Sequence, residues 1–224
     1  LPWDARQIAV AVDEYEGVLP AHGWPNWVLG NHDQPRITSR VGLQQARVAA
    51  MLLLTLRGTP TIYYGDEIGM RDVPIPFNEV QDPQGLNMPD KNLSRDPART
   101  PMQWDTSEYA GFTKAKPWLR MDRTFQRTNV QVQKEVSYSM LSLYRRLISL
   151  RNQEPSLMTG NYLPVYSDHQ MMAFIRQEEG YSRFLVVLNF SHRPCYFKPR
   201  QTSFKGTIEI ATSPELERTN IDDA

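Results

Sequence analysis

Two short polar clusters stand out among the 224 residues because of what precedes them. Asn31-His32-Asp33 follows the apolar run Trp27-Val28-Leu29, and Asp66-Glu67 follows Thr61-Ile62-Tyr63-Tyr64. A carboxylate beside an imidazole can move a proton or meet positive charge as it develops on a substrate. Asp33 also has a plainer use, as the cap of a following helix. Asp66 and Glu67 have one too, as ion-pairing and loop support at the rim of a site. No group of His, Cys or carboxylate residues shows metal-ligand spacing, and no cofactor is expected.

The elements that hold these clusters follow from periodicity. Residues 4–18 read as a helix, with Ile8, Val12 and Tyr15 on one face. Trp27-Val28-Leu29 fits a short buried strand. A second, heavily buried helix is expected from Gly42 to Arg57, ended by Gly58 and Pro60. Thr61–Tyr64 is β-branched and aromatic, hence a strand. Helix, strand, helix, strand implies right-handed crossovers and a parallel sheet, in which chemistry sits beyond the carboxyl ends of the strands. Both polar clusters occupy such ends.

Residues 71–131 are rich in proline, Asp, Asn and glycine, yet carry Phe77, Trp104, Tyr109, Phe112 and Trp118. That content predicts an ordered excursion over the active face rather than disorder. Glu135 to Asn152 reads as a helix with the stripe Val136, Met140, Leu143, Leu147 and Leu150. Beyond Asn161 the pattern turns all-β, with strands expected at 162–166, 171–176, 183–190, 194–197 and 206–211 and turns at Tyr181-Ser182 and His192-Arg193. The fold class is therefore α/β followed by all-β, with a boundary near residue 156.

Bulk properties exclude some functions. Basic and acidic residues number 25 each, so no broad field draws nucleic acid or an anionic membrane. The longest apolar block, Val48 to Leu54, is too short to span a bilayer. The single cysteine, Cys195, reads as a small buried apolar residue and fits a cytoplasmic location. The chain opens on Leu1 rather than Met, which reads as a fragment boundary.

Three segments, in this order and spacing, resemble the α-glucosidase and oligo-1,6-glucosidase branch of the α-amylase superfamily. They are Trp27-Val28-Leu29-Gly30-Asn31-His32-Asp33-Gln34-Pro35-Arg36, then Gly58 through Met70, and Ser94-Arg95-Asp96-Pro97-Ala98-Arg99-Thr100-Pro101-Met102-Gln103-Trp104-Asp105. The resemblance covers residues 1 to about 212. It implies the C-terminal part of a (β/α)8 TIM barrel over residues 1–155, with Trp27–Leu29 and Thr61–Tyr64 as strands seven and eight. An antiparallel β-domain over residues 156–224 would follow.

The resemblance also implies roles. Retaining glycoside hydrolysis uses a carboxylate nucleophile and a carboxylic acid ~5–5.5 Å apart. Neither family motif for that pair is found here. Asp33 matches the third carboxylate, which binds hydroxyls of the cleaved sugar and stabilises its oxocarbenium-like transition state. His32 would donate to the same sugar. Asn31 would brace the turn. Arg99 matches an arginine aimed at the non-reducing end. Arg95 and Arg36 are the remaining substrate-binding candidates, with Arg36 either ordering its loop or reaching the leaving-group side. Trp104, Trp118 and Phe112 would pack as a small core or stack on sugar faces. The expected partner is an oligosaccharide in a complete enzyme, this chain alone being inactive. Two barrel strands with open edges further predict self-association through the exposed half-barrel surfaces.

Overall fold

A computed structural model describes residues 1–91, 93–198 and 204–221. Residue 92 of the predicted 71–131 excursion, and residues 199–203 and 222–224 of the predicted β-domain, lie outside the described residues. The fold is mixed α/β with an antiparallel sheet. The chain forms two compact units, neither contiguous: residues 1–27, 47–60 and 145–224, and residues 28–46 and 61–144.

The first unit is built on helix α1 (Ala5–Val18). Asp4 caps it, its Oδ1 accepting the Gln7 amide at 2.9 Å. Ala5, Ala9 and Val12 form its buried face. Of the face expected from sequence, Val12 is buried, Ile8 is only partly buried against the core, and Tyr15 is 43% exposed. That face shares a core with strands β3 (Asn161–Ser167), β4 (Met171–Gln177) and β5 (Phe184–Asn189). These three are antiparallel in the order β3-β4-β5, with Phe174 paired to Pro164 and Val186. A register shift falls between Pro164 and Tyr166, where proline has no amide to keep the ladder regular. Val48, Leu52 and Leu56 join the same core.

Two buried arginines tie this unit together. Arg151, on α5 (Met140–Gln153), donates from Nη1 to Leu54 O and Leu56 O at 2.9 Å each, and from Nη2 to Gly58 O at 2.5 Å. Arg176 donates from Nη1 to Thr55 O at 2.5 Å. Arg176 also donates from Nε and Nη2 to Gly160 O. The carbonyls of Leu54 and Thr55 are among those that the end of helix α2 (Ile37–Thr55) leaves without an intrahelical partner, and those of Leu56 and Gly58 lie just beyond it.

Several boundaries differ from expectation for local reasons. Helix α2 begins at Ile37 rather than Gly42, and Gly42 interrupts it at φ 80°. Strand β1 is Asn26–Val28 and pairs only with β2 (Thr59–Thr61), so Val28, expected to be buried, is half exposed. The predicted strand 61–64 leaves the ladder after Thr61. Tyr63 and Tyr64 are held by their hydroxyls instead, on Ala98 O at 3.1 Å and Thr100 O at 2.7 Å. The predicted 135–152 helix starts late, at Met140 with α5; a separate α4 (Val130–Lys134) lies wholly before it, following a short α3 (Pro83–Asn87). Ser139 makes the break: its Oγ accepts the Ser142 amide at 3.1 Å and donates to Gln133 O at 2.8 Å.

A last short helix, α6 (Pro155–Met158), precedes the sheet. The predicted strand 194–197 does not form, because Asn189 Nδ2 and Ser191 Oγ both donate to Arg193 O at 2.8 Å and fix a bend there. The predicted 206–211 shrinks to β6 (Gly206–Thr207), paired with β7 (Asn220–Ile221). No helix among the described residues is long and apolar enough to cross a membrane.

The second unit is the proline-rich excursion together with the two polar clusters. It is ordered by short 3-10 turns rather than by long elements, with Ile68, Met70, Met102 and Leu141 as its apolar centre. The excursion is thus ordered across its described length, as its aromatic content predicts.

Candidate active site

After β1 the chain turns sharply through Gly30-Asn31-His32-Asp33. A side chain at Gly30 would lie 2.8 Å from Asp66 Oδ2, so glycine is needed for that close approach. Asn31 braces the turn by accepting the Asp33 amide on Oδ1 at 2.9 Å. Asp33 therefore stands at the tip of a short, tied loop.

Its carboxylate is not spent on capping a helix. Oδ1 accepts Arg95 Nη1 at 3.0 Å and Arg99 Nη2 at 3.2 Å. Oδ2 lies 3.4 Å from His32 Nε2. Arg99 Nε also donates to His32 O at 2.9 Å, which locks the His32-Asp33 backbone to the same guanidinium. The hydrogen bond from Arg95, then the charges of His32, Arg95 and Arg99, hold the Asp33 carboxyl below the usual range against a smaller opposing effect of burial. About half of the Asp33 side chain stays exposed. The result is a fixed, ionised carboxylate open on one side.

Four of the five predicted site residues are brought together or adjoin: His32, Asp33, Arg95 and Arg99. Arg36 stands apart from the open face. It has no exposed surface, donates to Tyr64 O at 2.5 Å, and lies under the Tyr63 and Tyr64 rings at 4.9 and 4.7 Å from their centroids. Of the two roles expected for it, ordering the loop matches this placement.

Asp66 and Glu67 also differ from the rim ion pairs expected of them. Asp66 is 2% exposed, and its Oδ1 and Glu67 Oε2 have no partner. Burial pushes the Asp66 carboxyl up to about 7, with Glu67 adding to the rise and Arg36 opposing it. Burial raises Glu67 as well. Tyr144, buried and facing these charges, is raised in turn.

Trp104, Phe112 and Trp118 are not a sealed core. All three are half exposed or more, and they line a cavity of about 400 Å³ with Tyr64, Glu67 and Arg99. The same arginine thus touches Asp33 and an aromatic-walled hollow. Sequence reasoning missed Asp82, whose buried carboxylate receives Arg95. The only signal was Asp82-Pro83, a helix-start pair, and it says nothing of a partner 13 residues on. Among the described residues, no three His, Cys or carboxylate groups are placed to hold a metal ion.

Residues 2–160 match the family described as alpha amylase, catalytic domain. The chain belongs to that family. Within it, the α-glucosidase branch is the one indicated by relatives such as the alpha-glucosidase of Apis mellifera, 38% identical over 185 residues. That match takes in 81% of this chain and 32% of the relative. The chain is also similar to the amino acid transporter heavy chain SLC3A1 of Mus musculus, 41% identical over 175 residues, covering 77% of this chain and 24% of that one. Among solved structures it resembles the trehalulose synthase MutB of Pseudomonas mesoacidophila MX-45 at a TM-score of 0.86 and 32% identity. Here 96% of this chain and 43% of the other are covered. The chain thus spans about a third of the first curated relative and less than half of that enzyme.

Proposed function

We propose that this α-amylase family chain carries the transition-state-stabilising part of a retaining, exo-acting α-glucosidase site, with Asp33 as the carboxylate that meets the cleaved sugar. The observation that carries this reading is the state of Asp33: anionic, held by two guanidinium groups on one oxygen, and open to solvent beside His32. A fixed anion in that setting stabilises an oxocarbenium-like centre without reorganising during the reaction. His32 and Arg99 bind the same sugar's hydroxyls. The substrates are α-linked glucosides such as malto- and isomalto-oligosaccharides or sucrose. On this reading β1 and β2 are the seventh and eighth barrel strands of residues 1–155, and residues 156–224 are the family's β-domain. A cytoplasmic location belongs to the same reading, supported by the single cysteine.

Neither family motif for the nucleophile and the acid is found in this sequence, so on this reading the chain alone turns over nothing. Incubating it with maltose, sucrose and an aryl α-glucoside tests this. Turnover proportional to protein and surviving repurification would overturn it. In a protein that joins this sequence to the earlier strands, Asp33→Asn should abolish hydrolysis, and an active variant would remove Asp33 from the mechanism.

Two further readings each have an observation behind them. Similarity to a trehalulose synthase supports transfer to a sugar acceptor after the same first step, which product analysis of the joined protein would reveal. Similarity to a transporter heavy chain supports a non-catalytic assembly module, which catalysis by the joined protein would exclude. Half-exposed Trp24, Val28 and Ile62 support self-association of the isolated chain. Sedimentation should then give a dimer or larger species, and a monodisperse monomer that binds no hydrophobic dye would refute it.

A further inference from the structure

A buried charge needs a reason, and Asp82 is an enclosed carboxylate beside the site, its side chain having no exposed surface. Its oxygens are saturated with donors. Arg95 Nη2 reaches Oδ1 at 2.7 Å, and Arg95 Nε and the Arg95 amide reach Oδ2 at 2.9 and 2.7 Å. The Gln84 amide completes the set on Oδ1 at 3.3 Å. Such compensation is what allows a carboxylate to remain ionised when enclosed.

The geometry of the guanidinium gives this pair a consequence outside itself. Arg95 spends its Nε and Nη2 edge on Asp82. A guanidinium is rigid and planar, so fixing one edge fixes the direction of the remaining nitrogen. That nitrogen, Nη1, donates to Asp33 Oδ1 at 3.0 Å. Asp82 is itself anchored, because its amide and that of Gln81 donate to Asp96 Oδ2 at 2.9 and 2.6 Å. The loop between them is drawn shut where Gly85 meets Ser94, since a side chain at Gly85 would lie 2.6 Å from Ser94 Cβ.

We propose that Asp82 is a positioning residue for Asp33, acting through Arg95, and that Arg95 serves as the bridge between the two carboxylates rather than as a ligand for sugar. Arg99 reaches Asp33 by its own route through His32 O and does not depend on Asp82. The proposal rests on Asp33 being the working carboxylate only for its meaning, since the bridge can be tested without turnover.

Asp82→Asn is the probe, because it keeps the size and the helix cap but puts an amide where the fork requires an acceptor. Carboxyl carbon-13 NMR of Asp33 across pH, and exchange of the Arg95 and Arg99 Nε protons, would be measured on the whole chain. The Asp33 midpoint should move up, the Arg95 Nε proton should exchange at least about tenfold faster, and the Arg99 proton should be unchanged. An unmoved Asp33 midpoint in a folded variant would show that Asp82 merely pins its loop and would overturn the proposal. An unchanged Arg95 exchange rate would overturn it equally. Should Asp82→Asn fail to fold, Arg95→Lys decides the matter. A single ammonium keeps the charge but cannot span both carboxylates, so the Asp33 midpoint should again rise, and a midpoint that stays put refutes the bridge. A sugar-cleaving role for Asp33 could fail in turnover assays with these NMR results intact, which keeps the two failures distinct.

Discussion

Replacing Asp66 by asparagine should stabilise the chain, and only above mildly acidic pH. Asp66 is 2% exposed, and burial raises its carboxyl from 3.8 to about 7 despite the attraction of Arg36. Between those two values the folded chain holds a proton that the unfolded chain has released. Stability therefore falls as pH rises across this window, because the folded state binds more protons there. A shift of a little over three units, at about 1.4 kcal/mol each, makes the loss about 4 kcal/mol once pH passes 7. An asparagine mimics the neutral acid and carries no such penalty. Urea unfolding followed by tryptophan fluorescence and circular dichroism, at pH steps from 4 to 8, would measure the difference. Asp66→Asn and wild type should coincide near pH 4 and separate progressively to about 4 kcal/mol at pH 8. A difference independent of pH, or a variant weaker than wild type at pH 8, would refute the reasoning. It would mean that Asp66 is ionised in the folded chain and paired with Arg36.

Other substitutions test the packing and backbone arguments. Arg151→Met removes three hydrogen bonds to the carbonyls of Leu54, Leu56 and Gly58 and leaves them buried, so unfolding free energy should drop by about 3 kcal/mol or more in denaturant titration. Phe174→Ala empties a fully buried ring site in the β3-β4-β5 core and should cost about 3–5 kcal/mol by the same measurement. Gly58→Ala should lower the thermal midpoint, because φ is 119° there and the added carbon would sit 2.5 Å from Pro25 O. Ser139→Ala should cost about 1 kcal/mol and fray the start of α5, seen as faster amide exchange at Ser142 and Leu143.

Helix α1 and strands β3 to β5 could be read from sequence because their signals are local. Ile8 and Val12 stand at helical spacing, and the runs at 171–176 and 183–190 are apolar enough to be strands. The start of α5 was misread because Val136 extends the apolar stripe one turn too far. Val136 is half exposed, and the hydroxyl of Ser139 decides the boundary. Strand 194–197 was misread because two side chains, Asn189 and Ser191, capture the Arg193 carbonyl before any ladder can. In the site, Asp33, His32 and Arg99 were legible from motif and position. The Arg95 bridge was not, since it joins residues 62 and 13 positions apart and depends on which edge of a guanidinium faces which acid.

The contrast between Asp33 and Asp66 shows why composition could not have assigned their roles. Each carboxylate follows a short strand and each has an arginine in reach. The difference lies in where the arginine's donors are committed. Arg95 and Arg99 point free edges at Asp33, so its charge is matched and about half of it still meets solvent. Arg36 is committed to Tyr64 O and to two ring faces, and its Nε and Nη2 make no hydrogen bond although they are buried. Its charge acts on Asp66 only at a distance, too weakly to offset burial. One acid is thereby kept as an anion and the other is largely neutral below about pH 7, and that separation, rather than the presence of either carboxylate, is what suits Asp33 to meet a developing positive charge.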